Sequence, residues 1–275
     1  MGRGSWLTIE PHDSIALRIT GYRDVPPACP VHRGLPSGSI TLIVSTGPPI
    51  EVSNTADASP HQRRRFHAVV GGLHRRPAFI HRFSPESGVA VDLRPDMVRR
   101  VFGIPAAALA ASSVELSDVL GRRGDEFAER LCERATLVEQ LAECERQLAT
   151  LVDRHDREAP AAEQRAWSLL ERSDGRLPIS TVASDIGWSR QHLTRRFAIE
   201  YGISPRDAAR VIRFGKSVTA MKTTPTRSLA RVAADSGFSD QSHLTREWND
   251  LAGCTPTQWR DEERVPSIQD THAGR

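Results

Sequence analysis

The apolar residues of the first 120 positions fall into short runs that are typical of β-strands. Four such runs, each bounded by proline or glycine turns, lie at 15–19, 39–45, 66–70 and 88–93. Many short strands with turn residues between them are typical of a small barrel or sandwich. We therefore expect a β-rich N-terminal domain over residues 1–123, whose last part turns into short helices at 97–102 and 106–111.

Residues 124–155 carry an amphipathic helical pattern instead. Apolar residues recur there at steps of three, four or seven, namely Phe127, Leu131, Val138, Leu141, Leu148 and Val152. The pattern predicts an amphipathic helix, roughly 48 Å long if unbroken, and we assign residues 124–159 as a linker. Its apolar stripe suits packing on its own domain and pairing with the same helix of a second chain equally well, although Arg134 and Glu145 interrupt the seam of a simple coiled coil.

The last hundred residues contain an internal duplication. Five residues of the first copy recur 50 positions later, namely Val182, Ala183, Asp185, Gly187 and Ser189. After a one-residue insertion the match continues, because the tetrapeptide 192–195 recurs unchanged at 243–246. Residues 160–264 therefore form an all-helical domain made of two related units. We expect the polar tail, residues 265–275, to be disordered.

Each copy has the order of elements expected of a helix-turn-helix motif. A short helix, at 179–186 or 229–236, is followed by a glycine suited to the left-handed conformation that ends a helix. An aromatic residue fills the turn, and a serine is placed to cap the next helix. In the two copies these residues are Gly187 and Gly237, Trp188 and Phe238, and Ser189 and Ser239.

Helical spacing separates the two faces of the second helix in each copy. Leu193 and Phe197 point to the core in the first copy, and Leu244 and Trp248 do so in the second. Arginine can bond guanine, and glutamine can bond adenine, through two hydrogen bonds each. The outward residues are therefore predicted to contact DNA bases: Arg190, Gln191, Thr194, Arg195, Gln241, Ser242, Thr245 and Arg246.

A connecting helix is predicted between the two units. Ser204 and Pro205 are suited to its N-cap and first position, and a helix over 205–222 would span roughly 27 Å. Two recognition helices in successive major grooves lie about 34 Å apart, so this length is compatible with them. Phosphate contacts are predicted for Ser189, Arg196, Arg206, Arg210, Arg213 and Ser239.

Composition narrows the class of protein. A chain of 275 residues with 39% hydrophobic and 26% charged residues is expected to form two globular domains. It has no apolar run long enough to span a membrane and no apolar segment typical of a signal peptide, so we expect a cytoplasmic protein.

The net charge of +3 hides an uneven distribution. Residues 190–231 carry ten basic and two acidic side chains, whereas residues 232–262 carry two basic and six acidic ones. The first block suits phosphate neutralisation. We therefore expect the first unit and the connector to supply most of the affinity for DNA, and the second unit to bind more weakly.

The C-terminal sequence resembles the AraC/XylS family of bacterial transcription regulators. The resemblance covers about residues 165–262 and is most specific in the segments 233–246 and 253–260. It implies a seven-helix DNA-binding unit of two subdomains acting on promoters, and it places seven of the eight predicted base-contacting residues, all except Arg190, where the family contacts bases. Leu244 replaces a more usual phenylalanine, and Trp248, Asn249 and Asp250 depart from the family's aromatic-basic pattern.

The N-terminal half resembles the cupin-like sensor domains of such regulators, in segments 35–44 and 93–103. The expected fold is thus multidomain α+β: a β-rich cupin-like barrel, an amphipathic connecting helix and an all-α double helix-turn-helix domain. The expected partners are promoter DNA, RNA polymerase, a small-molecule effector and a second copy of the chain.

Two other classes of function were weighed. A metal-dependent cupin enzyme would use histidines spaced by six or seven residues, at His61, His67, His74 and His81, together with Glu86. No H-x-H pair is present, and the four cysteines form no C-x-x-C pair, so we predict no metal, cofactor or catalytic residue. The acidic second unit also leaves open a module that binds proteins rather than DNA.

Overall fold

The computed structural model describes residues 4–11, 15–27, 29–154 and 158–262. It has a β-rich N-terminal region and a helical C-terminal region, as expected. The ten strands of the described residues are β1 Ser5–Ile9, β2 Ala16–Val25, β3 Val31–Gly34, β4 Ile40–Ser45, β5 Ile50–Ser53, β6 Arg64–Phe66, β7 Ala68–Gly71, β8 Ala78–His81, β9 Glu86–Leu93 and β10 Ser113–Glu115. The predicted disordered tail, residues 265–275, lies outside the described residues.

The α-helices of the same residues are α1 Val98–Phe102, α2 Leu116–Leu120, α3 Arg122–Cys132, α4 Leu137–Arg154, α5 Ala161–Arg172, α6 Ile179–Asp185, α7 Arg190–Tyr201, α8 Pro205–Thr223, α9 Leu229–Asp235, α10 Gln241–Ala252 and α11 Pro256–Glu262. Short 3₁₀ helices occupy Pro60–Gln62, Pro95–Met97 and Ala106–Leu109. In the described part of the chain, no helix is both long and apolar enough to cross a membrane.

Two antiparallel sheets form the N-terminal domain. One has the order β1-β2-β9-β4-β7-β10 and the other the order β3-β8-β5-β6. The predicted runs at 15–19, 39–45 and 88–93 fall within or overlap β2, β4 and β9, which are neighbours in the larger sheet. Alternation along β4 buries Ile40, Leu42 and Val44 on the face that packs against helices, while Thr41 and Ile43 face the other sheet.

The predicted strand 66–70 is instead two strands. Its first residue ends β6 in the smaller sheet, whereas residues 68–71 form β7 in the larger sheet, so the chain changes sheets at His67. Phe66, Ala68, Val69 and Val70 are all buried, which shows that the run lacks the alternation of a strand with one solvent face.

The predicted linker helix is also broken into two. α3 ends at Cys132 and α4 begins at Leu137, because Thr136 and Glu139 form a reciprocal cap at the start of α4. The side-chain amide of Gln140 donates to the carbonyls of Leu131 and Arg134 at the end of α3. The T-x-x-E sequence at 136–139 is the signal that predicts this break.

The apolar stripe of the two helices packs within its own chain. Phe127, Leu131, Leu141, Leu148 and Val152 are buried in a core that also includes the larger sheet. Val138 is the exception, since 65% of it is exposed. Of the two arrangements left open by the sequence, packing on the chain's own domain accounts for the buried part of the stripe.

The two domains share one hydrophobic core. The cluster that contains β4 and α4 continues through α5, α6 and α7 to Ala209 in α8. A second cluster contains the rest of α8, α9, α10 and Trp259 of α11. The connecting helix α8 is therefore the element at which the two hydrophobic clusters meet.

Candidate nucleic-acid interface

The first helix-turn-helix consists of α6, a short turn and α7. Gly187 has the left-handed φ of 73° that reverses the chain, and Trp188 donates its backbone N–H to the carbonyl of Ala183. Ser189 caps α7 by accepting a hydrogen bond from the backbone N–H of His192, as predicted. The turn thus fixes the start of α7 against α6.

The second motif repeats this geometry in α9 and α10. Gly237 has a φ of 81°, and Phe238 donates its backbone N–H to Ala233, the same bond as in the first copy. The predicted cap Ser239 is wrong, however, because Asp240 caps α10 through the N–H of His243. The one-residue insertion between the copies explains this, since the cap stays three residues before the repeated histidine.

The faces of α7 and α10 are arranged as the helical spacing predicts. Leu193, Phe197, Leu244 and Trp248 are completely buried. The predicted base-contacting residues lie on the opposite faces, where Thr245 is half-buried and the others are exposed: Arg190, Gln191, Thr194, Arg195, Gln241, Ser242 and Arg246. Equivalent positions of the two helices therefore present polar side chains that can donate and accept hydrogen bonds.

The connecting helix α8 begins and ends close to the predicted positions. Ser204 caps it by accepting the N–H of Asp207, and Pro205 is its first residue. Its 19 residues span about 28 Å at the rise of an α-helix.

The arginines near α7 and α8 divide into two groups. The side chains of Arg190, Arg195 and Arg206 are exposed and form no ion pair with the described residues. Arg196, by contrast, binds the buried carboxylate of Glu163 at 2.9 Å. The first group is available to a ligand without breaking a contact within the protein.

Two predicted phosphate ligands of α8 also have intramolecular partners. Arg210 contacts the carboxylates of Glu247 and Asp250 at 2.9 and 3.1 Å, which ties α8 to α10. Arg213 is half-buried and donates to the carbonyl of Gly175. A phosphate would have to displace these partners. Sequence analysis missed them because each partner lies more than 30 positions away along the chain.

The remaining predicted phosphate ligands are the two serines beside the turns. Ser189 and Ser239 are both exposed, at the starts of the two recognition helices. The Ser239 hydroxyl contacts the ring of His243 and the carboxylate of Asp240. Both hydroxyl groups are therefore accessible to a DNA backbone.

A pocket lies between the two sheets of the N-terminal domain. It is lined by side chains of both sheets and contains two ion pairs, Arg18 with Asp92 and Arg82 with Glu86. Burial raises the pKa of Asp92 and of Glu86, and the neighbouring arginines oppose the shift. Sequence analysis considered Glu86 only as a candidate metal ligand and did not identify the other three residues, because the pairing of the strands is what brings the four side chains into one pocket.

The histidines weighed as metal ligands are dispersed. His61 and His67 are exposed, whereas Nε2 of the buried His81 contacts the hydroxyl of Ser53 at 2.8 Å. His74 contacts the carbonyl of Arg76. Among the residues that the structure describes, no group of three or more histidine, cysteine, aspartate or glutamate side chains is placed to hold a metal ion.

Comparisons with known proteins identify the helix-turn-helix part of the C-terminal domain. Residues 164–262 match the sequence profile of a helix-turn-helix domain. No curated protein sequence matches the chain.

Among solved structures, the chain is similar to apo ToxT from Vibrio cholerae, with a TM-score of 0.51 and 10% identity over 94% of this chain and 96% of that one. Similarity to ToxT with an unsaturated fatty acid bound gives a TM-score of 0.50 and 9% identity over 96% of each chain. The C-terminal part is similar to an AraC-type transcriptional regulator from Chromobacterium violaceum, with 22% identity over 38% of this chain and 95% of that one, at a TM-score of 0.35. The two-domain arrangement is thus a known fold.

Proposed function

We propose that the chain is a DNA-binding transcription regulator of the AraC type, in which α7 and α10 read two successive major grooves on one face of the DNA. The match of residues 164–262 to a helix-turn-helix domain supports this. The outward residues at the first, second, fifth and sixth positions of each helix would contact base edges. The connecting helix would set the distance between the two helices.

One observation carries this proposal. The same positions of both copies of the repeat are outward, polar and placed at the start of a helix that follows a tight turn. If these faces only contacted solvent, nothing would require the same arrangement of polar residues in both copies of the repeat. Exposed arginines at equivalent positions, Arg195 and Arg246, are suited to paired hydrogen bonds with guanine.

We assign different roles to the predicted phosphate ligands. Arg206, Ser189 and Ser239 are exposed and would bind the DNA backbone directly. Arg196, Arg210 and Arg213 are held by partners within the domain, so their first role is to position α7 and α8. The acidic neighbours of α10 weaken attraction to DNA, and the first unit would therefore supply more of the affinity.

The N-terminal domain would regulate this activity. Its pocket, with two partly buried ion pairs, is the place where a small-molecule effector would bind, and the ToxT structure with bound fatty acid shares the fold. RNA polymerase and a second copy of the chain are further proposed partners. A regulator of promoters would act in the bacterial cytoplasm.

We propose no enzymatic activity. The strongest alternative, a metal-dependent cupin enzyme, needs clustered ligands, and the four histidines of the N-terminal domain are dispersed in the described structure. Turnover of a small substrate by the purified chain on addition of Fe²⁺, Mn²⁺ or Zn²⁺ would contradict this.

The proposal is tested by selecting binding sites from a random duplex library with the full-length protein. We expect one enriched sequence with two boxes about one helical turn apart, since the helices would enter successive grooves. Affinity for it should fall steeply between about 50 and 200 mM salt, as phosphate contacts require. Absence of enrichment together with absence of binding at low salt would contradict the proposal and favour a protein-binding module.

Substitution of Arg195 gives the sharper result. Arg195→Ala is expected to cost about 1–3 kcal/mol on the selected site and to relax specificity at one base position. Arg172→Ala is the matched control, because Arg172 is also exposed but donates only to its own helix, at Ser168. Equal losses on selected and random DNA for Arg195→Ala would remove its role in base recognition.

A further inference from the structure

The turn between α5 and α6 crosses the boundary between the two hydrophobic clusters of the C-terminal domain. Ala208 and Ala209 of α8 pack in the first cluster, whereas Phe214, Val218 and Met221 pack in the second. The units that carry the two recognition helices thus share α8 as a common element. Any contact that links them elsewhere restrains how one unit is placed relative to the other.

Three consecutive residues of this turn make such contacts. Asp174 forms an ion pair with Lys216, and Gly175 accepts a hydrogen bond from Arg213, both on α8. Arg176 reaches further and donates to the carbonyl of Asp235, the last residue of α9 in the second unit. We call residues 174–176 the strap.

The backbone of both partners is shaped for this contact. Gly175 has a φ of 67°, and a side chain there would overlap the carbonyl of Ala209, so the turn lies directly on α8. At the other end, a Cβ on Gly237 would come within 2.8 Å of Nε of Arg176. The glycine that reverses the second helix-turn-helix therefore also makes room for the guanidinium group.

The strap also spans a glycine within α8. Gly215 lies inside this helix, where glycine lowers helix stability and is a common site of bending. The two contacts of the strap with α8 fall on either side of it, at Arg213 and Lys216. Contacts on both sides of Gly215 would oppose bending of α8 at that residue.

We propose that Arg176 is a positioning residue that fixes the second recognition helix relative to the first, and so sets the spacing of the two DNA boxes that the protein accepts. This rests on the proposed function, because it deepens the account of how α7 and α10 read one site. Adding one base pair between the boxes rotates one against the other by about 35°, so a rigid pair of helices must discriminate between spacings.

The restraint itself is tested without DNA. Spin labels are introduced as non-canonical amino acids at the exposed positions Ile199 of α7 and Asn249 of α10 in the full chain, and their distance distribution is measured by pulsed electron paramagnetic resonance. We expect a narrow distribution for the wild type and for the control Arg172→Ala, and a broader one for Arg176→Ala. An unchanged distribution in Arg176→Ala would overturn the proposal, whether or not the protein binds DNA.

Spacing is then tested on the DNA selected by the wild type, with one base pair added or removed between the boxes. The wild type and Arg172→Ala should lose about tenfold in affinity at each altered spacing, as expected when one base contact is lost. Arg176→Ala should lose about threefold or less at the altered spacings. A purely structural role would lower the affinity for all spacings alike and would overturn the proposal.

A second substitution separates the strap from general destabilisation. Gly215→Ala is accommodated, since nothing lies within 4 Å of the added Cβ, and it stiffens α8. In the double variant with Arg176→Ala it should narrow the distance distribution again and restore part of the spacing preference. If the double variant restores neither the narrow distance distribution nor the spacing preference, the motion released by Arg176→Ala lies outside α8. That result would overturn the role of the strap in bracing α8.

Discussion

Each unit of the C-terminal domain is centred on one aromatic side chain of its recognition helix. Phe197 stacks on Trp167 and packs against Tyr201 in the first unit, and Trp248 packs against Phe214 and Trp259 in the second. The two differ in polarity, because the indole N–H of Trp248 needs a partner in the core. It donates to the hydroxyl of the fully buried Ser217 at 3.0 Å.

Removal of that hydroxyl should be costly. Ser217→Ala leaves the N–H of Trp248 buried without an acceptor, and we expect a loss of about 1–3 kcal/mol in the free energy of unfolding, measured with urea. Thr219→Ala on the same helix is the control, because its exposed hydroxyl bonds only to Gly215 one turn earlier. A similar effect of both substitutions would show that the bond to Trp248 contributes nothing specific.

The cap of α10 should titrate, unlike the serine cap of α7. The backbone N–H of His243 and then the hydroxyl of Ser239 lower the pKa of Asp240. Because the pKa of Asp240 is lower in the folded protein than in the unfolded chain, where it is about 3.9, the ionised cap stabilises the fold at any pH above about 3.9. This stabilisation is lost as the pH falls through the pKa that Asp240 has in the folded protein. A carbon-13 titration should place the midpoint of Asp240 below about 3.9. Asp240→Asn keeps the cap but cannot ionise, so it should remove this contribution to the pH dependence of stability. A titration midpoint of Asp240 at or above its ordinary value would contradict the prediction.

At the residue scale, sequence reasoning identified the outward faces of α7 and α10 because helical spacing determines them. It could not tell which arginines are available. Arg195 and Arg196 are adjacent and chemically identical, yet only Arg196 meets a carboxylate, that of Glu163 on another helix. Such a pairing depends on how helices pack, which no periodicity within one helix reveals.

At the scale of helices, two interior glycines should respond in opposite ways to the same substitution. Gly215→Ala in α8 adds a methyl group to open space and should stabilise the protein by about 0.5–1 kcal/mol. Gly124→Ala in α3 would place its Cβ 2.7 Å from the backbone of Leu116 and Ser117, so it should destabilise by about 1–3 kcal/mol. Urea unfolding of both variants tests this, and the same sign for both would refute it.

The elements themselves were predictable where one local signal dominates. Capping serine and proline residues predicted the start of α8 correctly, since both act within one turn. The prediction of a single helix over 124–155 was wrong because it relied on the apolar stripe, which keeps its helical spacing on both sides of the break at residues 133–136. The stripe continues because α3 and α4 pack on the same core. The hydrogen bonds of the Thr136 and Gln140 side chains nevertheless end one helix and start the next.

At the scale of the whole molecule, the N-terminal domain touches equivalent points of the two units. Ala110, which follows a 3₁₀ helix, packs on Gly202 at the end of α7, and Arg33 of β3 donates to the carbonyl of Ala252 beside Gly253 at the end of α10. Both glycines end a recognition helix in the left-handed conformation. A shift of the N-terminal domain would thus reach both recognition helices at the end opposite the predicted base contacts.

Arg99 of α1 is expected to be the strongest polar link in this arrangement. It contacts both carboxylate oxygens of Glu200 on α7, at 2.8 and 2.9 Å, and the side chain of Glu200 is only 2% exposed. Arg99→Ala leaves a buried carboxylate unpaired and should cost about 3 kcal/mol, the lower end for such pairs, because Arg99 itself is 26% exposed. Arg100→Ala is the control, since Arg100 forms no ion pair within the described residues.

The shared core predicts how the loss of the Arg99–Glu200 ion pair changes the unfolding transition. Since one hydrophobic cluster runs through both domains, the wild type should unfold in a single transition, with coincident signals from far-ultraviolet circular dichroism and tryptophan fluorescence. Four of the five tryptophans lie in the C-terminal domain, so separate unfolding would split the two signals. In Arg99→Ala the midpoints should fall and separate, and adding Glu200→Gln should bring them back together, because the uncompensated charge is then gone. Midpoints that fall equally and stay coincident in Arg99→Ala and Arg100→Ala would show that the ion pair does not couple the domains, leaving the apolar core as the link between them.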